Sequence, residues 1–595
     1  MPDAPPLVRR VAVLTGLVWL AVAAQLLVLY WAGTADVLSD TDDAMRLVEV
    51  RAFLAGQGWF DLHEPRMNPP AGYDTHWSRL IDAGLAGLYG LVSLATAPAL
   101  AERLMRTVWP LLWLIPAMAA VLITSARLAG TAALAPAALL LVLGLPAFQQ
   151  FVPGRIDHHN VQIALAVMVL AAVVASDRRR WGRAAAAGGL TAVALAIGFE
   201  SLAFLALCGV APALRFAADR ATGPALAAYG LALAAGTAAV FLGTVVPARW
   251  LFTQCDALTV NTAAPVVIAG LGLAALGRLA PERRSTRLLG LALLAAVAAA
   301  LSLAIEPDCR RGPFALMDPA VGPLWLDQVR ESQPLLTVAR ASPAVAATVA
   351  AFPLIALAAA GLLLRDPVRR TDFACLTVAA AVAAAGLLTL GNAKFYAYAT
   401  WFGLPVVAAV LARLAGARPA LRVAAAVLVA PAVAGALAAA AVRILAGPGP
   451  GDLPAADAAA RACLTEASHR TLAALPPGLV VAPIDHGPPI LATTPHRVIG
   501  GPYHRLSAAI LATDRVFRSA PEEARPQLER WAALSPHVYV AVCRAVPVVP
   551  TAAPGGLAAR LAAGDPPAWL TPVAAVPDEA LAIYRFTPDA AAPPP

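Results

Sequence analysis

Four polar stretches carry residues that could hold a cation and a phosphate. SDTDDAMR (39–46) contains Asp40, Asp42 and Asp43, and PGRIDHHN (153–160) contains Asp157 and His159. The last two are two apart, so an extended loop turns both side chains one way. LDQVRESQP (326–334) brings Glu331, and GNAKFYAY (391–398) brings Lys394 and Tyr396. Asp43, Asp157, His159 and Glu331 together make the donor set of a divalent-cation site. Carboxylate oxygens suit Mg²⁺ or Mn²⁺, and one imidazole shifts the preference toward Mn²⁺. Any one of these residues alone would more often be a helix cap, a solvated acid or a structural histidine. Lys394 is the only lysine in the chain. A compact ammonium beside Tyr396 and Tyr398 is suited to a phosphate, although a lysine at the mouth of a span can also simply snorkel. Glu200, in AIGFESLAF, sits at a break between two apolar segments, where an acid is costly unless paired or in a wet cavity.

The elements that must position these residues are apolar helices. The 595-residue chain is 60% hydrophobic and 13% charged, which excludes a soluble enzyme, a disordered protein and a disulfide-built miniprotein. Thirteen segments read as spans: 11–33, 103–127, 131–149, 160–176, 184–198, 200–214, 222–246, 259–277, 287–305, 341–364, 372–390, 395–413 and 421–441. The net charge of +8 comes from arginine and reads as topology rather than nucleic-acid binding. With the N-terminus inside, the inner loops carry Arg127, then Arg178, Arg179, Arg180 and Arg183, then Arg215, Arg220, Arg278, Arg283, Arg284 and Arg287. They also carry Arg365, Arg369, Arg370, Arg413, Arg418 and Arg422. The apolar segment 83–98 breaks this parity and reads as a membrane-parallel or re-entrant helix on the outer side. No cleavage site follows the first apolar run, and no internal repeat is visible.

The fold class expected is therefore a polytopic α-helical membrane protein with a C-terminal extracytoplasmic α/β domain. Residues 1–444 form the membrane domain, with outer loops at 34–82 and 306–340, and 445–595 form the outer domain. GLVVAPI (478–484), HVYVAVC (537–543) and LAIYRF (581–586) read as its buried strands, and the AAPPP end as disordered. Of six cysteines, Cys208 and Cys375 fall in spans. Cys255 with Cys309 and Cys463 with Cys543 fall outside, where disulfides are permitted. His486, His496, His504 and Arg505, with Asp485, make a polar group in the outer domain that could line an acceptor groove or be ordinary surface.

These motifs, in this order and on one side, resemble the catalytic subunit of oligosaccharyltransferase in its single-subunit bacterial and archaeal form, a GT-C class membrane glycosyltransferase. TDDAMR looks like the family's first acidic motif, through Asp43. GRIDHHN looks like the second, through Asp157 and His159, and VRESQP like the glutamate motif, through Glu331. HWSRLID resembles a His-Trp segment near the lipid phosphate, which points to His76 and Arg79. Lys394-Phe395 is similar to a pyrophosphate-contacting Arg-Phe. The Trp-Trp-Asp-Tyr-Gly motif that reads an asparagine acceptor has no clear counterpart; the nearest is PIDHG (483–487), which keeps Asp485 and Gly487.

The resemblance implies transfer of a sugar or oligosaccharide from a polyprenyl-(pyro)phosphate donor to an extracytoplasmic acceptor, assisted by Mn²⁺ or Mg²⁺. His76, Arg79 and Lys394 would hold the donor phosphate, with Tyr396, read from its place beside the lysine, adding to that group. Asp485, His486, His504 and Arg505 would meet the acceptor. The location implied is a bacterial inner membrane with the C-terminal domain periplasmic. The partners are the lipid-linked donor, the acceptor and membrane lipids, with no nucleic acid. The rival readings are a polysaccharide polymerase or ligase, a flippase of a lipid-linked substrate, which would want more ionisable groups at the midplane, and a receptor-like module.

Overall fold

The computed structural model describes residues 4–35, 40–176, 181–416, 418–447, 449, 461–544, 555–573 and 579–588. Ser39, Arg178, Arg179, Arg180, Pro448, Pro450 and the 591–595 end lie outside the described residues. Helices dominate: α1 (Ala4–Tyr30), α2 (Thr41–Leu54), α3 (Arg79–Ser93), α4 (Pro98–Ala129), α5 (Leu134–Val142), α6 (His159–Ala175), α7 (Trp181–Ile197), α8 (Leu202–Ala218), α9 (Gly223–Thr244), α10 (Val260–Leu279), α11 (Arg284–Ile305), α12 (Leu335–Ala341), α13 (Pro343–Leu364), α14 (Phe373–Gly391), α15 (Tyr396–Leu411), α16 (Pro419–Leu428) and α17 (Pro431–Ala446). Runs of Ala and Leu supply the propensity, and burial of backbone polar groups in lipid demands helix.

The chain is a multi-pass membrane protein. Among the described residues, eight helical stretches are long and apolar enough to cross a membrane, nine if the bent pair α16–α17 counts as one. Each expected span falls on a helix, but three differ from simple rods. α4 and α5 run together as one 45-residue apolar stretch, and α16 meets α17 at 59°. Pro431 opens α17, and its ring cannot continue the preceding helix. α6, α7 and α8 have 17 residues each, at the short end for a span. The 83–98 segment lies largely in α3, whose 15 residues are too few to cross.

The two ends of the bundle differ in chemistry. At one end arginines clamp neighbouring helices: Arg127 meets Asp372 at 3.0 Å, Arg369 donates to the Leu128 carbonyl at 2.7 Å, and Arg215 donates to that of Ser176 at 2.9 Å. At the other end the connections after α1, α5, α7, α9, α11 and α14 gather under a five-stranded sheet. Its strands are β3 (Leu479–Val481), β4 (Arg497–Val498), β5 (Val538–Cys543), β6 (Leu570–Pro572) and β7 (Leu581–Phe586), in the order β4-β3-β5-β7-β6. β3 pairs in parallel with β4 and β5, while β7 is antiparallel to β5 and β6.

The expected boundary at 444/445 divides the sequence but not the packing. The apolar core of the sheet region includes Ala44, Met45, Val48, Met67, Tyr73 and Trp77 from the first loop. That loop contains the hairpin β1 (His63–Glu64) and β2 (Tyr73–Asp74), and its residues 66–68 cover the open edge of β4. The Asn68 amide donates to the Val498 carbonyl and the Val498 amide to that of Arg66, both at 2.8 Å. An uncovered edge would leave these groups unpaired. Disulfides join Cys255 to Cys309 and Cys463 to Cys543, and Cys208 and Cys375 are free and buried.

Candidate active site

The site begins where α2 starts. Asp40 caps the helix by accepting the Asp42 amide at 3.2 Å. This sets Asp42 and Asp43 in the first turn, where the helix dipole favours anions. The two acids face different ways. Asp43 is fully buried, and its Oδ1 accepts the amides of Ile156 (2.7 Å) and Asp157 (3.1 Å), while its Oδ2 lies 3.2 Å from Arg155. It therefore shapes the 153–159 turn. Asp42 lines a cavity, and burial, then the charges of Asp40 and Asp157, push its carboxyl well above the usual range.

Asp157 fixes His159. One Asp157 oxygen accepts the His159 amide at 3.0 Å; the other meets His159 Nδ1 at 2.9 Å and Arg155. Burial alone would raise the Asp157 carboxyl, but Arg155 and His159 hold it well below its usual range. His159 Nε2 is left buried without a hydrogen-bond partner, 3.2 Å from Glu200 and 3.9 Å from Glu331. The other Glu200 oxygen accepts from Lys394 Nζ at 2.5 Å. Glu200 stays ionised against the push of burial because His159 and Lys394 face it. The Glu200 turn comes this close because residue 198 is glycine; a Cβ there would lie 2.2 Å from Gln162 Nε2.

The structure thus brings Asp43, Asp157, His159 and Glu331 together, but Asp43 and Asp157 spend their oxygens on the turn and on His159. The atoms available to a cation are others. One donor atom each from His158, His159 and Glu200 lie within 4.8 Å of one another. The His158 Nδ1 and His159 Nε2 atoms are both buried and unpartnered. Burial, then the charge of His159, push the His158 imidazole down to about 3. An imidazole held by a carboxylate through its other nitrogen is the usual outer support of a metal ligand. These residues fit a divalent cation.

Two cavities, of about 1030 and 720 Å³, meet at this point. The larger reaches up to the sheet region, past Asp42, Asp485, His486 and Tyr503. The smaller descends between apolar residues of the helical bundle, among them Leu195, Ile197, Leu388 and Phe395. Both share a wall containing His76, Trp77, His158, Glu200, Lys394 and His504.

Several expected residues stand elsewhere. Arg79 does not face either cavity: its guanidinium is buried, bonded to Asp82 (3.1 Å), Gln57 (3.1 Å) and the Trp59 and Asp61 carbonyls, so it braces the first loop. Tyr396 points away as well, donating to Gln149 Oε1 at 2.6 Å and lying 3.1 Å from the Pro146 carbonyl. Arg505 grips Asp256 with two nitrogens at 2.9 Å. His496 is a fully buried structural histidine: Nδ1 accepts the Gly478 amide at 3.0 Å and Nε2 donates to the Leu472 carbonyl at 2.7 Å. Asp485, His486 and His504 do line the larger cavity. Enclosure there, with Asp40 nearby, pushes the Asp485 carboxyl up to about 6. His76 is held well below its usual value by burial and then by His504. The sequence reading left out His158, Arg155 and Asp256 as site residues. His158 was visible as the middle of DHH, and Asp256 as the acid beside Cys255.

No family model matches the sequence, and no curated protein matches it. Solved structures do. The archaeal oligosaccharyltransferase AglB from Archaeoglobus fulgidus, in complex with an inhibitory peptide and a dolichol-phosphate, superposes at a TM-score of 0.61 with 14% identity, over 93% of this chain and 71% of that one. The Archaeoglobus fulgidus oligosaccharyltransferase in its apo form gives 0.62 at 14% identity, over 89% and 69%. Its complex with Zn and sulfate gives 0.58 at 14%, over 89% and 68%. The chain has the fold of this oligosaccharyltransferase. That likeness spans the helical bundle and most of the sheet region together, which agrees with their shared packing.

Proposed function

We propose that the protein is a membrane glycosyltransferase that moves a sugar or oligosaccharide from a polyprenyl-(pyro)phosphate donor to an extracytoplasmic acceptor. The observation that carries this is the meeting of the two cavities at Lys394, Glu200 and His158. An apolar channel suits a lipid tail, and a polar chamber under the sheet suits an acceptor. The wall they share carries His158 and Glu200, which would hold a cation where a phosphate would leave. The archaeal relative's complex with a dolichol-phosphate supports such a donor. The arginine-rich end of the bundle is the cytoplasmic one by the positive-inside rule. The chamber and the sheet region, which we assign to residues 445–595 completed by the first loop, then face the periplasm of a bacterial inner membrane.

Lys394 and His76 hold the donor phosphate, Lys394 by exchanging its Glu200 partner for phosphate oxygens. Mn²⁺ or Mg²⁺ on His158, His159 and Glu200, with Glu331 adjacent, would neutralise charge on the departing phosphate. Asp157 and Asp43 keep the turn and the His159 ring in place. A mass-spectrometric comparison of lipid-linked glycans and glycosylated products with and without the gene tests the reading. Lipid-linked sugar accumulates and a product disappears on deletion. Asp157→Ala and Glu331→Ala give the same loss while the protein still inserts. Full activity of either variant, or of the wild type in chelator, contradicts the cation's part.

A further inference from the structure

A second polar cluster stands on the wall shared by the cavities. His504 Nε2 lies 2.6 Å from Asp256 Oδ2, and Arg505 binds the same carboxylate through Nε to Oδ2 and Nη2 to Oδ1, each at 2.9 Å. Asp256 is nearly buried and adjoins Cys255, whose disulfide to Cys309 pins that loop. The His504 ring is held by Phe314 at 5.1 Å, by Trp325 stacked at 6.3 Å and by His76 at 4.9 Å. Facing a carboxylate that can only accept, Nε2 donates to Asp256, and Nδ1 has no hydrogen-bond partner among the described residues. Three donor atoms of His76, Asp256 and His504 lie within 4.8 Å of one another, a spacing that a cation could use. Both Asp256 oxygens are already taken by Arg505 and His504, so the cluster is a histidine oriented by a clamped carboxylate, the arrangement of a general base.

We propose that His504 is the base for a hydroxyl acceptor, that Asp256 positions it, and that the acceptor is a sugar hydroxyl of a glycan or glycolipid. This rests on the transferase reading above. In the step, the acceptor oxygen bonds to the anomeric carbon and the bond from that carbon to the phosphate oxygen breaks. The electron pair leaves with the polyprenyl phosphate, and the hydroxyl proton passes to His504 Nδ1. An alcohol needs such a base. A carboxamide nitrogen has its lone pair delocalised into the carbonyl, and an imidazole beside it does not restore that pair. The aromatic faces of Trp325, Phe314, Trp77 and Tyr503 along the chamber favour the flat C–H face of a sugar ring.

The test uses full-length protein, both in a deletion strain and purified. Product linkage is read by mass spectrometry, undecaprenyl phosphate affinity is measured as the donor probe, and metal content per chain is measured in parallel. The expected product is a sugar joined to a sugar oxygen. His504→Gln lowers turnover by about 10²-fold or more, and Asp256→Asn lowers kcat by about 10-fold or more. Neither change alters undecaprenyl phosphate affinity or metal content. If His504→Gln fails to insert, Asp256→Asn decides. A product on an asparagine nitrogen, a Ser or Thr side chain or a phosphate overturns the proposal. So does full turnover in either variant, or metal content that falls with the cluster. A deletion that changes neither lipid-linked sugars nor products removes the transferase reading, and this proposal with it.

Discussion

Two buried charge clusters lie a short way apart and are built differently. Under the first loop, both Asp82 oxygens are engaged, one by Arg46 at 2.6 Å and one by Arg79 at 3.1 Å, and every side-chain nitrogen of Arg79 has an acceptor. Arg46 also lies over the Trp77 ring at 4.7 Å. At the cavity junction Asp157 holds His159 Nδ1, and Glu200 stands between His159 Nε2 at 3.2 Å and Lys394 at 2.5 Å, while His158 Nδ1 beside them is buried without a hydrogen-bond partner. Both leave buried atoms without a hydrogen bond, Arg46 Nε, Arg46 Nη2 and Glu49 Oε1 in the first and His158 Nδ1 in the second, but of the two only the second lines the cavities. Burial and charge alone do not mark a functional site. Unused donor or acceptor capacity facing a cavity does.

The comparison can be broken from either side. The largest expected effect is on the scaffold: Asp82→Ala strands two buried guanidinium groups and costs about 3–5 kcal/mol, read as loss of thermal stability in detergent. Glu200→Gln acts in the opposite sense. It leaves the melting temperature nearly unchanged and lowers turnover by about 10²–10³-fold, measured as product per chain. If both variants lost stability equally, the distinction would fall. Replacing Cys255 and Cys309 together by serine frees a 54-residue separation and costs about 2–4 kcal/mol by chemical denaturation. The smallest effect is at Tyr396→Phe, which removes the hydrogen bond to Gln149 for about 1 kcal/mol. Turnover stays at the wild-type level in that variant, in contrast to the phosphate-binding role its place beside Lys394 suggests in the sequence.

Much of the bundle was legible because lipid leaves the backbone one solution: apolar runs of about 20 residues become helices. The motif order also sufficed to gather Asp157, His159, Glu331 and Lys394. The choice between Asp42 and Asp43 was not legible, because one residue along a helix turns a side chain by about 100°. Only the backbone amides of Ile156 and Asp157 show which acid is consumed. Arg79 and Lys394 both read as phosphate binders, since no pattern within the sequence shows that the carbonyls of Trp59 and Asp61 fold over Arg79. Asp256 meets His504 across 248 residues, a pairing that neither local spacing nor periodicity encodes. Composition divides the sequence at 444/445 but, for the same reason, does not show that the sheet's core takes Met67 and Tyr73 from the first loop.

The most direct measurement is a structure of the full chain with undecaprenyl phosphate and Mn²⁺. The account predicts the lipid tail in the apolar channel, the phosphate on Lys394 with Glu200 released from it, and the ion on His159 Nε2 and Glu200. A phosphate bound away from Lys394, or an ion held without His159 and Glu200, would contradict it.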